Sequence, residues 1–192
     1  MKASCRLTAI LVFGIASAAC GQQSAPPPPA QIAQQLASDM QIIQKELNSV
    51  GKLNFVVHVS NADEIGTSQY SVLLTEVAAD PAACSIHYHW WRSISGNVVN
   101  DEDVSLSLRD VMGVLTMPSD QYFKKVAEEE GAAPDEMKVY YEKFDPPMFI
   151  VAMRVAADDA DGFSFTDQKQ SARVGQAVAQ AVLLCGGKNE PF

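Results

Sequence analysis

The chain has 192 residues, 47% of them hydrophobic and 19% charged, with a formal net charge of −9. This composition suits one globular domain with a sizeable core rather than a disordered segment. The acidity argues against nucleic acid as a partner and against electrostatic adhesion to anionic lipid.

Lys2 and Arg6 give the N-terminus a positive start, and Leu7 to Ala16 is apolar apart from Thr8. That run has the length of a signal-peptide core and is too short to span a bilayer. Ser17-Ala18-Ala19-Cys20 follows and resembles a bacterial lipobox, with Ser17 standing where Leu is usual. The resemblance implies that Cys20 receives diacylglycerol and becomes the mature N-terminus. Ala16-Ser17-Ala18 also fits the cleavage site of ordinary secretion, so a soluble secreted chain is the alternative. Gly21 in place of Asp after the cysteine resembles outer-membrane sorting, were the host Gram-negative. The expected organisation is a signal peptide over 1–19, a lipidated cysteine with a Pro-rich spacer over 20–30, and a single domain over 31–192. The expected location is the cell envelope, on the outer membrane facing the periplasm.

The cysteine count follows from that reading. Of Cys5, Cys20, Cys84 and Cys185, Cys5 leaves with the signal and Cys20 carries the lipid. Cys84 and Cys185 remain in an oxidising compartment, where two thiols of one small exported domain pair. Their disulfide would close a loop of roughly 100 residues, worth up to ~4–5 kcal/mol in the chain-entropy model.

Pro26 to Pro29 favour a stiff, extended spacer. From Ala30 to Val50, Ile32, Leu36, Met40, Ile43, Leu47 and Val50 recur at helical spacing, with Gln34, Gln35, Gln41, Lys45 and Glu46 opposite and Gly51 as the stop. Lys52 to Ser60 alternates as a strand, Asn61 to Thr67 reads as a loop, and Gln69 to Ala79 is a second strand ended by Asp80-Pro81. Cys84 to Ser95 is a third, closed by a Ser95-Gly96-Asn97 turn. Val98 and Val99 begin a return strand before the acidic Asp101-Glu102-Asp103, and alternation resumes from Val104 to Arg109. Val111 to Met117 is apolar and Pro118 stops it. A helix over Ser119 to Gly131, capped by Ser119, precedes a strand over Met137 to Phe144. Met148 to Ala156 is a strongly apolar strand, Asp158 to Gly162 an acidic turn, and Phe163 to Thr166 a short last strand. Asp167 with Gln170 resembles a capping box for a closing amphipathic helix to Cys185, ended by Gly186-Gly187.

Candidate chemistry is sparse. His87 and His89 are two apart on one strand and project from the same face, and His58 could complete a three-histidine zinc site if its strand lay nearby. Trp91 shares their face, so an outer sheet face carrying amphipathic side chains is the simpler reading. There is no G-x-S-x-G, no thiol left for a Cys–His pair and no Gly-rich phosphate loop, so no catalytic residue is assigned. Asp101-Glu102-Asp103, Glu128-Glu129-Glu130 and Asp158-Asp159 with Asp161 lack EF-hand spacing and read as solvated turns. The aromatic residues concentrate in the strands, where they serve as core or line a ligand groove.

The element order from Tyr70 to Cys185, a meander, a helical insertion, more strands and a closing helix, resembles a pleckstrin-homology-like barrel. No basic headgroup motif accompanies it, so phosphoinositide binding is not implied. Asp80-Pro81-Ala82-Ala83-Cys84, Tyr88-His89-Trp90, Leu108-Arg109-Asp110-Val111 and Leu184-Cys185-Gly186-Gly187 also resemble segments of an uncharacterised family of exported bacterial proteins. The expected fold class is α+β: a mostly antiparallel sheet or partly open barrel, closed by a C-terminal helix, with an N-terminal helix packed on it. The expected function is a non-enzymatic envelope lipoprotein that binds or scaffolds an envelope protein partner. A metal-binding protein or hydrolase using the histidines, and a secreted carrier of a small apolar ligand, are the alternatives.

Overall fold

A computed structural model describes residues 28–60, 65–129, 140–156 and 159–190. The signal stretch, Cys20 and most of the spacer lie outside these residues. Helix α1 (Pro29–Val50) opens the domain with proline in its first turn, where no backbone N–H is needed. It ends at Gly51, whose φ of 67° suits only glycine without strain. Its buried stripe is Leu36, Asp39, Met40, Ile43 and Leu47. The stripe carries one carboxylate: burial raises the pKa of Asp39, partly offset by the hydrogen bond from Gln35 Nε2.

All strands pair antiparallel. A large sheet runs in the order β4 (Asn97–Ser107), β3 (Ser85–Ile94), β2 (Ile65–Asp80), β1 (Lys52–Ser60), β6 (Tyr140–Asp145). A small sheet has the order β5 (Gly113–Pro118), β7 (Phe149–Ala156), β8 (Asp159–Phe165). Helix α2 (Ser119–Glu129) follows β5, and α3 (Gln168–Leu184) closes the chain. The fold is therefore α+β with two separate antiparallel sheets, and no closed barrel forms.

Three local expectations change. The residues from Asp159 to Gly162 are not an acidic turn but the first part of β8, where Gly162 pairs with Ala152 and Asp161 with Met153. Asp101-Glu102-Asp103 likewise sits mid-strand, because β4 pairs in register with β3 from Asn100 to Ser107, after a shift at Val99. β2 begins at Ile65, inside the segment read as a loop. In each case the ladder to a neighbouring strand overrides the local polarity, which is permissible on an exposed face or an edge.

The main core joins α1, α3 and both sheets. Ile43 and Leu47 meet Ile86 and Leu106 of the large sheet, Val151 and Phe163 of the small one, and Val174 and Val178 of α3. A second cluster gathers Leu53, Val57, Val72, Phe144 and Met148, and Trp90 and Val50 pack against both. Two devices fasten α3. Asp167 accepts from Lys169 N and Gln170 N, but the Gln170 side chain does not close the capping box. It reaches instead to Glu46 O and Ser49 Oγ of α1 at 3.0 and 2.8 Å. At the other end a disulfide joins Cys185 to Cys84, with Cα atoms 5.8 Å apart, pinning the helix end to the β2–β3 turn. Gly186 turns the chain at a φ of 89°, and Gly187 lies so close to the backbone oxygens of Leu108 and Val111 that a Cβ would collide with them.

β2 carries an irregularity between Thr75 and Ala78, with Glu76 at a φ of 56°. The bulge takes Val77 out of the ladder, yet its backbone is not orphaned. Asn48 of α1 donates to Val77 O at 2.9 Å and accepts from Val77 N at 3.2 Å, and Gln44 Oε1 accepts from Ala79 N at 3.0 Å. An unpaired buried backbone group costs about 1–3 kcal/mol. Asn48→Ala should therefore destabilise the domain by about 2 kcal/mol or more in urea unfolding, whereas Gln41→Ala on the exposed face should cost under about 0.5 kcal/mol.

Candidate functional site

The strands place the three histidines apart. His58 pairs with Thr67 and His89 with Thr75, eight residues further along β2 and so roughly 26 Å away along the sheet. His87 and His89 do share the outer face of β3. The His87 ring lies 3.0 Å from Ser85 Oγ. Both ring nitrogens of His89 face carboxylates at 2.9 Å, Nδ1 to Asp103 and Nε2 to Asp101. Carboxylates only accept, so both bonds require the imidazolium, which has no lone pair left for a metal. Among the described residues no group of three or more His, Cys, Asp or Glu side chains is arranged to hold a metal ion. On the same face Lys52 Nζ sits 4.7 Å from the Trp91 ring.

The opposite, inner face of the large sheet is where the molecule opens. A cleft of about 340 Å³ lies between β1–β3, β6, α2 and the small sheet. That volume is within the range of small-molecule sites. Its wall is a run of ring contacts across four elements. Tyr70 stacks on Phe55 at 5.5 Å, Phe55 meets Phe144 at 5.9 Å, Phe144 stacks on Phe123 at 5.7 Å, and Phe123 meets Tyr122 edge-on at 5.3 Å. Alternation explains the strand contributions, since Phe55 and Val57 on β1 and Tyr70 and Val72 on β2 all point to one side. α2 brings Tyr122 and Phe123 over them, anchored where Ser119 N donates to Met148 O at 2.9 Å. The small sheet adds Ile150, Gly162 and Ser164. A Cβ on Gly162 would crowd Val151 O and Ile150 at 3.1 and 3.3 Å.

Arg92 and Asp161 bring charge into the cleft lining. Arg92 extends from the inner face of β3 beside Trp90 and lines the cleft. Asp161 of β8 accepts from the Tyr88 hydroxyl at 2.8 Å and from Gly162 N at 2.7 Å. Burial first, then the Asp161 charge, pushes the Tyr88 hydroxyl far above the ordinary phenol range, so it stays a donor. Trp90, Arg92 and Asp161 also border a wider, open groove along β4 that includes Asn100, Glu102 and Asp110.

The sequence alone leaves the aromatic residues undivided between core and groove, and it does not single out Phe55, Tyr70, Phe144 or Arg92. The alternation of β3 was the available signal: Arg92 shares its parity with Tyr88 and Trp90, on the side opposite His87, His89 and Trp91. A cation on the apolar face of a strand marks a position that the core does not explain.

Comparison with family models, curated proteins and solved structures returns no match. No helix among the described residues is long and apolar enough to cross a membrane.

The histidine clamp has a measurable pH signature. The hydrogen bond that His89 donates to Asp103 is the largest cause of its raised pKa, with Asp101 also contributing. A raised folded pKa stabilises the fold fully below the unfolded value near ~6.5 and ceases to do so as pH rises through the folded one. In NMR titration His89 should lose its proton at higher pH than a free histidine. Asp103→Asn should lower that midpoint more than Asp101→Asn, and its effect on unfolding should fade at alkaline pH.

Proposed function

We propose that this chain is a non-enzymatic binding module, exported and held at the cell envelope by a lipid on Cys20, whose aromatic cleft receives a small apolar ligand. The observation that carries the ligand part is the cleft itself. It is an opening of about 340 Å³ walled by Tyr70, Phe55, Phe144, Phe123 and Tyr122, with Arg92, Asp161, Ser119 and Ser164 also in its lining. Such a lining suits the binding and orientation of a flat apolar ligand. The tether is supported by the sequence alone: the lipobox-like Ser17-Ala18-Ala19-Cys20, the prolines behind it, and a charge of −9 that gives the domain no attraction of its own to anionic lipid. A pleckstrin-homology-like element order is part of the same proposal. The antiparallel run β4-β3-β2-β1, the second sheet and the closing α3 support it, while the addition of β6 beside β1 departs from a simple meander.

Two measurements test these parts separately. N-phenyl-1-naphthylamine, a neutral aromatic probe that fluoresces in apolar surroundings, should bind the folded protein with one-to-one stoichiometry. Ser164→Trp, which fills the cleft, should weaken that binding by about tenfold or more, equivalent to ~1.4 kcal/mol, while leaving the far-ultraviolet circular dichroism unchanged. Absence of binding, or binding indifferent to the filling residue, would overturn the ligand reading. For the tether, the intact mass of the protein from its native host should correspond to a chain starting at Cys20 with acyl mass added. An unmodified start removes the lipid anchor.

A further inference from the structure

We infer that the cleft's ligand is an amphipathic anion, a flat apolar body lying along the aromatic wall with one carboxylate, sulfonate or phosphate turned to Arg92. The inference rests on the cleft being a ligand site and assigns the chemistry of what it takes. Arg92 stands on the inner face of β3 between Val72 and Asn100. Its Nε is buried without a hydrogen-bond partner, and among the described residues the side chain has no ion pair. A guanidinium offers five N–H donors in a planar fork and cannot shed its charge, so leaving it unpaired beside apolar rings is unfavourable.

The neighbouring anions do not answer it. Asp161 already accepts from Tyr88 and Gly162 with both carboxylate oxygens. Glu102 accepts from Asn100 Nδ2 at 3.0 Å. Among the described residues neither acid forms an ion pair with Arg92, so its guanidinium fork is open to an anionic ligand head. The selectivity has to be local, because the chain as a whole carries −9 and repels free anions. Charge-assisted contacts of a guanidinium fork with an oxyanion are the strong, directional kind, and the apolar body supplies the remaining affinity by burial.

The experiment pairs two probes of one skeleton, 8-anilinonaphthalene-1-sulfonate and neutral N-phenyl-1-naphthylamine, titrated against the whole folded chain. The sulfonate should bind about 10- to 100-fold more tightly than the neutral probe. Arg92→Met, which keeps the length and apolar stem of the side chain, should abolish that preference and leave the neutral probe within about twofold. Arg92→Lys should retain part of it, as a charge without the fork. Equal affinity for the two probes in the wild type, or a sulfonate preference that survives Arg92→Met, would overturn the anion assignment while leaving the cleft reading standing. Failure of both probes to bind would instead overturn the cleft reading. Neutral-probe binding by Arg92→Met doubles as the control that the variant is folded.

Discussion

The large sheet is longer than the helices that cover it, and the rest of the structure follows from that mismatch. β2 has 16 residues, roughly 50 Å of strand, whereas the 22 residues of α1 span about 33 Å. Where the helices reach, the inner face of the sheet is sealed by Ile43, Leu47 and Val178 against Ile86 and Leu106. Beyond them Phe55, Tyr70 and Arg92 lie outside the main core and face α2 and the edge of the small sheet. Apolar surface left uncovered at that end calls for a second, smaller cluster, and the gap that the cluster does not fill is the cleft.

Trp90 sits at the seam between these two regimes, packed against both clusters. The polar fastenings lie mainly on the helix side. Asn48 and Gln44 complete the backbone of the β2 bulge, Gln170 bonds α1 from α3, and Cys84–Cys185 ties the far end of α3 to the sheet. The outer face of the sheet is different again. His89 between Asp101 and Asp103, and Lys52 over Trp91, are exposed cross-strand pairs of small individual worth. They keep polar a face that no other described element packs against.

The histidines and Arg92 teach complementary lessons. His87 and His89 were conspicuous in sequence because two imidazoles at strand spacing can share a metal. The ladder, however, set two carboxylates against His89 and carried His58 far along the sheet. Arg92 was inconspicuous, since arginine next to a predicted turn is ordinary. Its interest comes from what does not reach it, and that depends on β8 and β4, which meet it only in three dimensions. The acidic turn expected over Asp158 to Gly162 gives way for the same reason: polar or small residues look like a loop until β7 supplies a ladder from Asp159 onward, Asp158 itself lying outside the described residues.

Local periodicity and covalent logic were legible from the chain alone. The stripe of α1, the alternation of β1 to β3, the turn after β3 near Ser95-Gly96-Asn97 and the Asp167 cap each depend on neighbours within a few residues. The partnership of Cys84 with Cys185 was reached by counting which cysteines remain in an oxidising compartment. Tertiary structure decided the split into two sheets, the capture of the β2 bulge by Asn48, the unpaired state of Arg92 and the existence of the cleft. Each of those is a property of groups far apart in sequence. Whether a polar group is satisfied, or an apolar face covered, depends on which distant segment arrives opposite it, and no local pattern carries that information.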